Sequence, residues 1–140
     1  MKRIALPLLL VACSSPPPKP DETPVVTCAN DERVKTFSAG LTASANDVEV
    51  TLVEADPSPP ARGTNVWKVK VPSGSTLTVA AFMPDHGHGT SVTPELTSTG
   101  DGEWTVSQLD LFMPGVWRVA FTVTKQGKAT EVPFFFCIAG

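Results

Sequence analysis

Apolar residues in this chain recur at alternate positions, and short turn-forming clusters interrupt the pattern. In "NVWKVKV", Trp67, Val69 and Val71 alternate with Lys68 and Lys70. In "TLTVAAF", Leu77, Val79 and Ala81 share one parity. In "VWRVAFTVT", Trp117, Val119, Phe121 and Val123 alternate with Arg118, Ala120, Thr122 and Thr124. Successive side chains of an extended chain point to opposite faces, so each stretch is expected to form a strand with one face to bury. No stretch carries a convincing helical period. Further strands are expected near 48–54, 103–107 and 130–138, with weaker ones at 33–38 and 90–93. Turn signals separate them: "ADPSPPARG" at 55–63, "PSG" at 72–74, "STGDG" at 98–102, "MPGV" at 113–116 and "KQG" at 125–127.

About seven short strands at this spacing predict an all-β fold, an antiparallel immunoglobulin-like sandwich. A small closed barrel is the second architecture the strand count allows. Trp67, Trp117 and the phenylalanines supply core bulk. The final "VPFFFC" is apolar on both faces and is expected to be buried. Pro133 has no N–H to give a ladder, which places a side without a pairing neighbour on that strand.

The first residues point to export. Lys2 and Arg3 precede a short apolar run, Ile4 to Val11, and Leu10-Val11-Ala12-Cys13 resembles the lipobox of bacterial lipoproteins. The expected organisation is a signal peptide over 1–12, a proline-rich tether over 13–24 and a sandwich domain over 25–140. Cys13 is the expected lipid attachment site, anchoring the chain to a membrane through acyl chains. Ser14 to Pro24 contains five prolines and no large apolar residue, a composition suited to a tether. No aspartate follows Cys13, which favours the outer membrane, facing the periplasm. Removing Lys2 and Arg3 from 11 basic residues leaves 9 against 14 acidic ones, a net charge of −5. No basic patch remains, which argues against nucleic acid as a partner. With Cys13 assigned to lipid, Cys28 and Cys137 are left near the two ends of the domain, and an exported chain is expected to join them in a disulfide. The other reading makes one of them a soft metal ligand.

Chemistry-bearing side chains are concentrated. Beyond the expected signal peptide the chain has two methionines and two histidines. The methionines share a tripeptide, Phe82-Met83-Pro84 and Phe112-Met113-Pro114, and the histidines follow the first copy in "DHGHG". A residue before proline is pushed to an extended conformation, so each methionine is expected at a strand end. Pro114-Gly115 fits the centre of a type II turn. Gly87 and Gly89 relax the backbone around the imidazoles, and an extended segment would put i and i+2 on one face. If both loops lie at one end of the sandwich, Met83, His86, His88 and Met113 form an N2S2 set. Thioethers are soft and favour copper, Cu(I) first with Cu(II) accommodated, whereas structural zinc sites rarely use methionine. Asp85 is better suited to accept from a ring N–H than to ligate.

These segments carry a resemblance. "MPDHGHG", preceded by "PSPPARGTNVWKVKV" and followed by "FMPGVWRV", resembles the YtkA-like and FixH-like domains, relatives in architecture of CopC-type periplasmic copper carriers. The matching positions are Gly63, Asn65 and Trp67; Met83, Pro84, His86, Gly87 and His88; and Met113, Pro114, Gly115 and Trp117. The resemblance spans roughly 45–137 and implies an immunoglobulin-like sandwich that handles copper outside the cytoplasm. CopC-type proteins often bind Cu(II) through an N-terminal histidine, a mode that a lipidated Cys13 would exclude.

Each piece also has a plainer reading: a strand-end methionine as core filler, "HGHG" as a flexible turn. No serine–histidine–acid or cysteine–histidine set is specified by spacing, and no glycine loop precedes a helix to cradle phosphate, so an enzyme is not expected. The expectation is a lipid-anchored periplasmic copper carrier or assembly factor, serving a copper enzyme or transporter. Its alternative is a cell-envelope structural or interaction module without metal.

Overall fold

The computed structural model describes residues 28–140, two antiparallel sheets packed face to face as a β-sandwich. Cys13, the expected signal peptide and the tether lie outside the described residues. A short 3-10 turn, Cys28–Asn30, leads into β1 (Leu41–Ala45), β2 (Val48–Asp56), β3 (Gly63–Lys70), β4 (Thr76–Met83), β5 (His88–Gly89), β6 (Glu95–Gly100), β7 (Glu103–Leu111), β8 (Gly115–Lys125) and β9 (Lys128–Ile138). One sheet has the order β1-β2-β3-β7-β6 and the other β5-β4-β8-β9.

The alternation seen in the sequence is the burial pattern of the strands. Trp67, Val69, Trp117, Val119 and Phe121 are fully buried, and Leu77, Ala81 and Val123 nearly so. The inner faces meet around Trp67, whose ring lies 6.4 Å from Phe121 and 5.4 Å, edge to face, from Phe136. On the outer face of the second sheet, Ala120 is also buried, at 2 % exposure. It sits opposite Pro133, and the Arg118–Glu131 ion pair runs diagonally across the same two strands above it. A long arginine stem lying along a sheet can cover apolar surface while its charged head stays outside. Among the described residues β9 pairs only with β8 and is an edge strand, as Pro133 requires.

Among the described residues nine strands form rather than about seven, and the differences have physical reasons. β1 and β6 carry little contrast: alanines alternate with small polar residues in one, and Leu96 is the sole large apolar residue of the other. β7 runs past 107 because the register slips between Asn65 and Trp67, with Gln108 at φ 54°. This bulge turns Val106 and Leu109, three residues apart, to the same core. The 33–38 segment is not a strand: Lys35 N–H donates to the Phe135 carbonyl at 2.9 Å, and the chain does not continue the ladder. The 90–93 segment is irregular, its Thr90 hydroxyl donating to the Val92 carbonyl at 2.7 Å.

Asn65 is fully buried because it serves as backbone for the loop before it. It accepts from the Ala61 N–H at 3.1 Å and donates to the Ala61 and Gly63 carbonyls, both at 2.8 Å. The two ends of the domain meet at Cys28 and Cys137, whose sulfurs lie at bonding distance, 2.03 Å, across a sequence separation of 109. A cross-link over so long a loop restricts the unfolded chain by about 4–5 kcal/mol in the chain-entropy model. The Cys28→Ser/Cys137→Ser double variant is therefore expected to lose several kcal/mol in urea denaturation. An unchanged midpoint, with free thiols titratable in the native wild type, would contradict the bridge.

Candidate metal centre

Both FMP tripeptides arrive at the same end of the sandwich. β4 runs antiparallel to β8 with Phe82 opposite Arg118, so the last residue of β4, Met83, lies beside the start of β8. Met113 stands two residues before Gly115, the first residue of β8. Alternation sends Met83 inward, with no exposed surface, and leaves its neighbour Phe82 at 40 % exposure.

The histidines are brought together by a turn and not by an extended segment. Residues 84–87 form a tight loop after Met83, closed by His86 N–H at 3.2 Å and Gly87 N–H at 2.9 Å, both donating to the Met83 carbonyl. The chain then returns as β5, pairing His88 with Met83. The ring centroids of His86 and His88 are 5.8 Å apart. With metal–nitrogen bonds of about 2.0–2.1 Å, two imidazoles sharing an ion have centroids roughly 5–6.5 Å apart between tetrahedral and linear geometry. The observed spacing falls within that interval.

Gly115 forms the floor. Its φ is +133°, a backbone conformation suited to glycine, and it opens the strand instead of sitting in the middle of a type II turn. A Cβ there would stand 2.8 Å from Met83 Cε and 3.9 Å from His86 Nε2. The thioether end and the imidazole nitrogen thus face one bare patch of backbone. The structure brings together Met83, His86 and His88, and it carries Met113 to the same end, half-buried against the core.

The surroundings fix some of these groups and leave others loose. His88 stacks on Phe112 with centroids 5.6 Å apart and planes 23° apart, and meets Trp117 edge-on at 6.5 Å. Trp117 is fully buried, and its indole N–H donates to the Met113 carbonyl at 2.8 Å, closing the turn that carries the second methionine. Arg62 Nε donates to the Phe112 carbonyl at 2.8 Å from the opposite loop. Asp85 does not accept from an imidazole: its carboxylate is taken by Arg33, at 3.1 and 2.9 Å. Arg33 also binds Asp31, whose carboxyl is held down at about 2, chiefly because it accepts the guanidinium's hydrogen bond. The depressed value keeps that contact charged from neutral pH through the usual carboxylate range, and it is lost only as the pH falls toward 2.

Phe112 and Arg33 are not visible as site residues in the sequence. Phe112 has a signal, its place in the repeated tripeptide; Arg33 has none, because its partner lies 52 residues away. Among the described residues, no group of three or more His, Cys, Asp or Glu side chains is placed to hold a metal. Gly115→Ala is expected to cost about 1–3 kcal/mol, because the backbone at φ +133° strains any residue with a Cβ, while the flexible end of Met83 can move aside. Unchanged stability in urea denaturation would show that this position does not require glycine.

The model of the family described as YtkA-like matches residues 42–122. No curated protein matches the chain significantly. Among solved structures, a copper-bound variant of FetP from uropathogenic Escherichia coli strain F11 has a TM-score of 0.47 at 13% identity, covering 74% of this chain and 99% of that one. The "as isolated" FetP of the same strain, expressed recombinantly in the periplasm of Escherichia coli, has a TM-score of 0.48 at 12% identity, covering 74% and 96%.

Proposed function

The chain belongs to the YtkA-like family, and we propose that it binds one copper ion through Met83, His86, His88 and Met113. The observation that carries this reading is the convergence at Gly115, where the Met83 thioether methyl and His86 Nε2 face the same bare backbone beside His88. The donor set fits a soft monovalent ion. Thioethers suit Cu(I), and imidazole accepts either oxidation state, so Cu(I) is the preferred cargo.

Exchange is the proposed role. Thioether ligands are labile, and His86 sits exposed on a turn where an acceptor can reach it. The protein is accordingly proposed as a lipid-anchored periplasmic carrier or assembly factor, held to a membrane through Cys13 and delivering copper to an enzyme or transporter. No catalytic role is proposed for it.

The full burial of Met83 favours a second reading, in which the tripeptide is core packing and the end of the sandwich contacts a partner without metal. Competition against a chromophoric Cu(I) chelator separates the two. The wild-type domain is expected to take up one Cu(I), and His86→Ala/His88→Ala to bind at least about 10-fold more weakly, as loss of ligands implies. Equal stoichiometry and affinity in both proteins would remove the site.

A further inference from the structure

The two imidazoles are held in different ways. His88 is half-buried, stacked on Phe112 and edge-on to Trp117. His86 is exposed and rides on the 84–87 turn. Among the described residues, the side-chain hydrogen bonds of that turn are the two that Asp85 accepts from Arg33. The neighbour of His86 in sequence is thus tied to a segment at the other end of the chain.

That segment is built to present the guanidinium. Asp31 accepts from the Arg33 backbone N–H and from Nε, both at 2.9 Å, and from the terminal nitrogen at 2.6 Å. Val34 N–H donates to the Asp31 carbonyl at 3.0 Å, and Lys35 N–H secures the segment to β9 through Phe135. Three residues before Asp31, Cys28 meets Cys137. An arginine so organised loses little further freedom when it grips a second carboxylate, unlike an isolated surface pair.

We infer that Arg33 is a positioning residue for His86: by holding Asp85 it sets how readily the exposed imidazole lets go of a bound ion. The inference rests on the copper reading of the site. Arg33 gives its side-chain hydrogen bonds to Asp31 and Asp85. It fixes the turn, and the turn fixes the ligand nearest solvent. Removing Arg33 leaves Met83, His88 and Met113 in place, so the ion is still bound and leaves faster.

The test measures transfer of Cu(I) from the loaded domain to a chelator by stopped flow. Arg33→Ala is expected to retain one Cu(I) per chain and to release it about 2–5-fold faster, the effect of losing an exposed, networked ion pair. Two readouts separate positioning from loss of packing. Asp85→Ala and the Arg33→Ala/Asp85→Ala pair should show the same acceleration as Arg33→Ala alone, since each breaks the Arg33–Asp85 contact. Raising ionic strength from about 0.01 M to about 1 M shortens the screening length from about 30 to 3 Å. It should accelerate the wild type toward the variant and leave the variant where it is. Release from Arg33→Ala at the wild-type rate, or additive effects in the double variant, would overturn the inference with the copper site intact. Failure of the wild-type domain to take up Cu(I) would overturn the site and the inference together.

Discussion

The structure depends on the closure of two sheets over a continuous apolar layer, with Trp67 at its centre and Phe121 and Phe136 from the facing sheet against it. Stacked sheets keep a separation of about 10 Å, set by interdigitated side chains. That distance decides which loops can meet. At one end the layer finishes in Trp117, and the turns after β4 and before β8 close over it. The candidate centre is therefore an extension of the core: Met83 belongs to the buried cluster, Phe112 and Met113 pack on its rim, and the histidines lie above them.

This placement grades the donors by exposure. Met83 is inaccessible, His88 and Met113 are half-buried, and His86 is open. A soft ion held across that gradient would have a fixed inner ligand and a movable outer one, an arrangement suited to transfer between proteins. Gly115 makes the gradient possible, because any side chain there would occupy the space into which the methionine and the exposed imidazole point. The aromatic wall of Phe112 and Trp117 fixes the ring plane of His88 by contact, and the ring's Nδ1 lies 3.3 Å from the Gly89 carbonyl.

Much of this architecture is legible in the amino-acid sequence alone. Period-two alternation locates the strands that bury bulky side chains, since Trp67, Trp117 and Phe121 create strong contrast between faces. It misses β1 and β6, where alanine and threonine create almost none. It loses β7 halfway, because a bulge shifts the phase without any residue that announces it. The methionine–proline repeat marks the loop after β4 and the loop before β8, and both do arrive at one end of the sandwich. The Arg33–Asp85 contact is illegible, as pairings between distant loops depend on topology that local pattern does not contain. Local spacing pairs Asp85 with an imidazole; the arginine is the stronger partner, offering charge and two hydrogen bonds where a ring N–H offers one.

X-ray absorption spectroscopy of the Cu(I)-loaded domain probes the ligand shell itself. The proposed centre requires two nitrogen and two sulfur scatterers in the first shell, with one sulfur lost in Met83→Leu and one in Met113→Leu. A shell of nitrogen and oxygen alone, unchanged in both variants, would contradict it.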